Sequence, residues 1–474
     1  MTKTVHAFSD DALGDLDGVG VAQRIRSGDV SRSEVVEAAI DRIERVNPYL
    51  NAVEVATFDR ARAEAARPGS EAPLAGVPAF IKDNNDVAGL PTCYGSAAFA
   101  PHPAKKDHPS AAQFLSQGYA LLGKSTMPAF GLIPTTEYVD RPPTRNPWNT
   151  DHLAGGSSGG SAALVASGAV PIAHANDGAG STRIPAAING LVGLKATRAR
   201  LLDQPGMRLL PVNILSEGIV SRSVRDTAHH IAGMERTHYN RRLPAVGLVE
   251  GAAKRRLRIG VVTAPATSEA IDPETVAIVN DSADVFAELG HHVTAIDLPV
   301  GPQFVADFEL YWCMLAVLSL ASSQVQHGRG FDLRKVDPIT RGMARTFVLN
   351  SHRTVPMIRR LRGVARLYDD VFKEFDVMLS PTLSHAAPEL GYLSPEIPCG
   401  ELVARFFRYV AFTPLNNVAG GPGMTLPSGI TRGNLPGSIH LSTARGDDRT
   451  LLEIAYEFEA AKPFPRIQDT TPAV

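Results

Sequence analysis

Residues 258–296, RIGVVTAPATSEAIDPETVAIVNDSADVFAELGHHVTAI, hold the element order that decides the fold class. Residues 258–262 form a short apolar run that predicts a strand. Residues 273–289 read as a helix closed by Gly290, and residues 292–296 predict the next strand. Strand, helix and strand in succession make a β-α-β unit. That selects an α/β fold over separate all-α and all-β parts.

Upstream, SRSEVVEAAIDRIERVNP (31–48) opens with a capping box, Ser31 to Glu34, and carries apolar residues at helical spacing. Pro48 is expected to end that helix. A strand at 52–55 and a helix at 57–66 are expected next. From Leu74 to about Asp226, short apolar runs (VPAFI, YALL, IVSRSV) alternate with loops rich in Gly, Ser, Asn and Pro. This texture predicts a sheet with its loops gathered at one edge, where sites are usually built. Residues 300–370 read as helical and partly amphipathic, and the last hundred residues return to strand and loop (FDVMLSPT, NNVAGGPGMTLPSG, SIHLS). No internal repeat, low-complexity tract or long linker interrupts the chain, so one domain over 1–474 is expected.

Composition narrows the function. The 474 residues carry 47 basic and 49 acidic side chains, a formal charge of −2, with 44% hydrophobic and 20% charged residues. That is a globular composition, without the basic footprint of a nucleic-acid binder. Three cysteines, Cys93, Cys313 and Cys399, are too few and too scattered for a disulfide framework or a cysteine-rich metal site. The N-terminal sequence has no signal-type apolar core, and the most apolar stretch, 311–321, is about half of a ~20-residue membrane span. A cytoplasmic protein with no membrane or nucleic-acid partner is expected.

Three patterns could carry chemistry. Gly118 to Ser125 (GYALLGKS) matches the phosphate-loop string, but its middle is bulky and apolar. Pro128, Gly131 and Pro134 then forbid the helix that the loop needs. Gly156 to Gly160 (GSSGG) matches a nucleophile elbow centred on Ser158, but the preceding residues are turn-forming rather than a strand, and nothing singles out His440 as its base. The third is a constellation. Lys82 follows the apolar run Ala79-Phe80-Ile81, Ser157 lies in AGGSSGGSAALVASG, and Ser181 lies in NDGAGSTRIPAA. Gly178-Ala179-Gly180 can turn successive amides toward one point, which an oxyanion hole beside a nucleophilic serine requires. A lysine can serve as base only if burial lowers its pKa from ~10.4 toward neutrality. Taken singly, Lys82 reads as a solvated partner of Asp83 or Asp86, Lys124 as a partner of a carboxylate, and Arg183 as a partner of Asp177.

Together these segments resemble the amidase signature family of hydrolases. GVPAFIKDNNDVAGLPTCYGS is similar to its lysine segment, and the stretch from RNPWNTDHLAGGSSGGS through DGAGSTRIPAAINGLVGLKATRAR to its Gly/Ser signature. EGIVSRSVRDTA, FDVMLSPT and NNVAGGPGMTLPSG are similar to its later motifs. In texture the chain is nearest to bacterial amidases and nylon-oligomer cyclic-dimer hydrolases. The resemblance implies a mixed β-sheet core covered by helices on both faces, a signature core at about 74–226 and a variable substrate-side region at about 300–420. It implies a Ser-cisSer-Lys triad in which Ser181 is the nucleophile, Ser157 the bridging serine and Lys82 the buried base. Amides from Gly178, Ala179 and Gly180 through Ser181 would hold the oxyanion, with no metal and no cofactor. Ala179, Thr182, Asn189, Ala129 and His440 depart from the usual family residues without touching the triad.

The expected function is hydrolysis of a linear or cyclic carboxamide C–N bond, with a small-molecule amide as substrate and a homo-oligomer left open. The alternatives are an amide-transfer subunit working in a complex, an ester or carbamate hydrolase on the same triad, and a non-catalytic binding module. The acyl pocket is expected near 131–136 and among the 300–370 and 400–420 segments, where Phe304, Phe308, Tyr311, Trp312, Phe406, Phe407 and Phe412 would favour an apolar or aryl acyl group.

Overall fold

In the computed structural model the 258–296 stretch folds as strand Arg258–Val261, helix Pro273–Glu288 and strand His292–Ala295, with the two strands parallel. The structure describes residues 4–67, 69–267 and 269–470, so residues 1–3, 68, 268 and 471–474 of the expected 1–474 unit lie outside the described residues. The strands are β1 Val53–Ala56, β2 Pro78–Lys82, β3 Ala120–Ser125, β4 Arg145–Asn146, β5 Asn149–Leu153, β6 Ile172–Asp177, β7 Val192–Lys195, β8 Ser216–Ser221, β9 Arg258–Val261, β10 His292–Ala295, β11 Val377–Ser380, β12 Gly423–Ile430 and β13 Pro436–Thr443. Eleven of them form one sheet in the order β1-β3-β2-β6-β8-β7-β12-β13-β11-β9-β10, and β4 pairs with β5 apart from it. The sheet is mixed. β2 runs parallel to β3 and β6, β9 runs parallel to β10 and β11, and the remaining pairs are antiparallel.

Helices cover both faces, as the period-2 alternation of a strand shows. On β11, Val377 and Leu379 belong to the same buried cluster as Ile454 and Phe458 of the helix Asp448–Ala461. Met378 between them belongs to the cluster of Leu361 and Tyr368 on the helix Thr354–Glu374. A sheet covered on both sides buries its strands on both faces. This is why β2, β3, β6 and β8 are buried at every position.

The Ser31–Glu34 capping box forms in both directions. The helix behind it does not stop at Pro48 but runs Arg32–Leu50. Proline forfeits one N–H bond there, only two residues before the helix ends at Leu50; its cap, Asn51, has a left-handed φ of 50° and an N–H that bonds Asn47 O at 2.9 Å. The apolar stretch 311–321 also proves to be part of something longer. The helix Pro302–His327 is long and apolar enough, by length and composition alone, to cross a membrane, and half of its most apolar window is buried inside the fold.

Gly123 sits in the middle of β3, between β1 and β2. A methyl on it would lie 2.0 Å from Val55 O and 2.9 Å from the Phe80 ring. Gly123→Ala is therefore expected to push β1 off the sheet and to lower stability by roughly 1–3 kcal/mol, read as a lower urea midpoint. An unchanged midpoint would contradict this packing.

Candidate active site

β2 and β6 are parallel neighbours, with Ala79 opposite Ile172 and Phe80 opposite Ala173. Their C-terminal residues, Lys82 and Asp177, therefore emerge at one sheet edge. The loop after β6 carries residues 178–182 into the helix Arg183–Ile188, and Gly156-Ser157-Ser158 lead into the helix Gly159–Ala166. The Gly156–Ser157 peptide is cis. Thus the three segments quoted from the sequence meet at one place.

Lys82 is fully buried. Its Nζ lies 2.7 Å from Ser157 Oγ, 3.0 Å from Ser158 Oγ and 2.7 Å from Asn176 Oδ1. Among the described residues no carboxylate forms an ion pair with it. Burial brings its pKa down to about 7, against the smaller opposing pull of the Glu217 and Asp177 charges. The three acceptors suit an ammonium. A neutral amine turns one contact round, so that the Ser157 hydroxyl donates to nitrogen.

Asp83 and Asp86 are not its partners. Asp83 instead pairs with Lys124 at 2.6 Å, both side chains being buried, and Lys124 Nζ also donates to Pro91 O and Thr92 Oγ1. Lys124 ends that way because its run is strand β3, not a phosphate loop.

The loop that bears Ser181 is held by a buried ion pair. Arg183 binds Asp177 through Nε–Oδ2 at 3.0 Å and Nη2–Oδ1 at 2.9 Å, and neither side chain is exposed. Its remaining donors reach Asn416 Oδ1, Asn417 Oδ1, Thr413 O and His440 Nε2. This guanidinium holds the Asp177 carboxyl well below the usual carboxylate range despite its burial, and the Asn417 amide and more distant Lys195 add to the effect. Burial and the adjacent Arg183 charge push the His440 pKa down, which fits an acceptor role for Nε2, and its two ring nitrogens face Arg183 and Ser380 rather than Ser158. Asp177 also accepts from the amides of Gly180 at 2.7 Å and Thr182 at 3.2 Å.

That last contact corrects one expectation. The Gly180 N–H is turned to Asp177 and is not free to face an oxyanion, because the carboxylate that anchors the loop takes it. Among the described residues, the amides of Gly178, Ala179 and Ser181 donate to no protein group. Thr413 fixes the loop from behind, its Oγ1 donating to Ala179 O at 2.6 Å. Ser181 is only 5% exposed, and its hydroxyl stands outside the hydrogen-bond network that joins Lys82 to Ser157. Ser158, the elbow candidate, has no exposed surface and contacts Lys82 and Asn176 O.

Most of the aromatics expected around an acyl pocket are core. Tyr311 donates to Val212 O, Phe406 stacks on Phe407 with centroids 4.5 Å apart, and Phe308 meets Phe407 edge-on. Within 131–136, Leu132 and Ile133 line a cavity of about 260 Å³ that is closed on its other side by Val336 and Ile339. Among the described residues no group of three or more His, Cys, Asp or Glu side chains is placed to hold a metal ion.

Sequence reasoning missed the residues on β6 that serve Lys82. His174 Nδ1 accepts from the Lys82 amide at 3.4 Å, and its Nε2 meets Glu217 Oε2 at 2.9 Å. Asn176 contacts Nζ directly. The signal was present in IAHAND, where His174 and Asn176 are spaced by two and so share one face of a strand beside the lysine.

A protein-family model described as Amidase matches residues 34–452. The chain is 48% identical over 465 residues to "Putative amidase AmiC" of Mycobacterium tuberculosis (strain ATCC 25618 / H37Rv), covering 98% of each. It is 32% identical to a 6-aminohexanoate-cyclic-dimer hydrolase of Pseudomonas sp. (strain NK87), covering 94% of this chain and 95% of the other. A solved structure of a 6-aminohexanoate cyclic dimer hydrolase complexed with substrate superposes with a TM-score of 0.87 at 30% identity, over 97% of this chain and 99% of that one.

The geometry around Asp177 generates a stability prediction. Arg183→Ala leaves a buried carboxylate without its counter-charge, and unfolding in urea should show a loss of roughly 3–5 kcal/mol. A loss below about 1 kcal/mol would mean that the pair does not hold the loop.

Proposed function

The chain belongs to the amidase signature family of hydrolases acting on amide C–N bonds, and on that premise we propose that it cleaves a small-molecule carboxamide, linear or cyclic, through an acyl-enzyme on Ser181. The observation that carries the reading is the 2.7 Å contact between Ser157 Oγ and a fully buried Lys82 amine that no carboxylate neutralises. A serine hydroxyl needs a neighbouring base before it attacks a carbonyl. Lys82 in its neutral form draws the Ser157 proton as Ser157 Oγ takes the proton of Ser181. The Ser181 oxygen then bonds to the carbonyl carbon, and the carbonyl oxygen gains the electron pair of the broken π bond. The free amides of Gly178, Ala179 and Ser181 stabilise that oxyanion.

Collapse of the tetrahedral adduct breaks the C–N bond. Ser157 hands its proton to the departing nitrogen and recovers one from Lys82. Water repeats the sequence on the ester, giving the carboxylate and a free Ser181. His174, fixed by Glu217, and Asn176 hold the lysine end of this relay in place. No metal or organic cofactor enters the steps.

Treatment with a fluorophosphonate, followed by peptide mass spectrometry, should locate an adduct on Ser181 in the native enzyme. Lys82→Ala should abolish it and reduce kcat by about 10²–10⁴. An adduct on Ser158, or a fully active Lys82→Ala enzyme, would overturn the mechanism. The pH profile follows from the direction of the Lys82 shift. The amine is the active form and is protonated below about 7, so kcat/KM should rise through that pH and level off above it. A profile flat between pH 5 and 9 would be incompatible with Lys82 as base.

A further inference from the structure

We propose that Trp312 sets the size of acyl group the enzyme accepts, an inference that rests on the acyl-enzyme reading above. Trp312 lies on the helix Pro302–His327 and is 5% exposed. One edge of its indole stands against the first residue of the loop that carries Ser181. A methyl built on Gly178 would meet Trp312 Cη2 at 3.4 Å and Cζ3 at 3.5 Å. The opposite end of the ring is tied down, Nε1 donating to Leu132 O at 2.8 Å. Leu132 follows Gly131, where a methyl would lie 3.2 Å from Ser157 Oγ. One side chain thus spans from the Gly178–Ser181 loop to the wall beside Ser157.

The ring is held there. Phe308 and Phe406 pack on it with centroids 5.8 Å and 5.9 Å away, and swinging it out would strand a buried N–H donor and the Leu132 carbonyl. Direction follows from the proton transfer. The departing nitrogen has to face Ser157, which supplies its proton, so the acyl chain runs the other way, past Gly178. There it meets the indole edge and Leu215, whose Cδ2 is 3.0 Å from the same built methyl. A short acyl chain fits against this wall and a long one collides with it. The substrate class is therefore an amide of a short-chain carboxylic acid, with variety permitted on the amine side.

The test compares kcat/KM for the p-nitroanilides of acetic and octanoic acid in the native enzyme, Trp312→Leu and Leu215→Ala. Leu215 is partly exposed and gives a second opening of the same wall should the tryptophan variant fold poorly. The native enzyme should prefer the acetyl substrate, and each variant should shift the octanoyl-to-acetyl ratio upward by about tenfold or more. The ratio between acetanilide and N-acetyl-2-naphthylamine, which differ only in the amine, should stay constant. An unchanged acyl ratio in both variants, or a change confined to the amine pair, would overturn the assignment to Trp312. Fluorophosphonate labelling of Ser181 in all three proteins separates the failures. Labelled variants with unchanged ratios sink this inference alone, whereas absence of label in the native enzyme sinks the acyl-enzyme reading beneath it.

Discussion

The architecture of the site turns on one buried pair, Asp177 with Arg183. Taking two charges out of water costs several kcal/mol per ion, and only close geometry with every remaining donor satisfied offsets it. Here the offset is unusually complete. The guanidinium fork spends two N–H groups on the carboxylate and the others on Asn416, Asn417, Thr413 O and His440. The partners come from β6, from the helix Pro414–Ala419 with the preceding Thr413, and from β13, the last two more than two hundred residues beyond the first. A lysine could not replace this arginine, because a point charge on a flexible stem cannot present donors in four directions at once. The loop between Asp177 and Arg183 is closed at both ends by this contact, so its amides have little freedom left. Preorganised amides are what stabilisation of a developing oxyanion demands.

Among the described residues three lysines are fully buried, and each solves its burial differently. Lys124 is matched by Asp83. Lys195 donates to the carbonyls of Ala196 and Gly421, and burial together with the nearby Arg183 charge brings it to about 7 as well. Lys82 alone faces serine hydroxyls. On the proposed mechanism, acidity does not single out the base, since two lysines share it. The group within reach of the nitrogen does. Lys124 has a carboxylate partner in Asp83, whereas among the described residues Lys82 has none.

Much of this was legible in the sequence, and the reasons differ from element to element. The 258–296 unit and the Ser31–Glu34 cap follow from local periodicity and turn chemistry, which act over a few residues. Lys82, Ser157 and Ser181 can be grouped as candidates because the order of their segments is distinctive, although no local rule shows that they converge. Pro48 misled because a proline near a helix end costs little. Gly180 misled because its amide had a competing acceptor, Asp177, whose carboxylate is aimed by Arg183 across the fold. The aromatics misled because an aromatic run on a helix looks alike whether it lines a pocket or fills a core. Trp312 among them meets the loop at Gly178 through its indole edge, while its N–H is held by the Leu132 carbonyl, a contact that no sequence pattern marks.

The burial of Lys82 also ties the chemistry to the folding equilibrium. An unfolded lysine holds its proton up to ~10.4, while the folded one releases it at about 7. Between those two values the unfolded chain binds a proton that the folded chain does not. Closing the sheet edge over this amine thus expels an ion into solution, and this residue's contribution to stability increases with alkalinity across that window. A heat of folding measured there includes the ionisation heat of whichever buffer captures the proton. On the proposed mechanism, the base is made ready by the act of folding itself, before any substrate arrives.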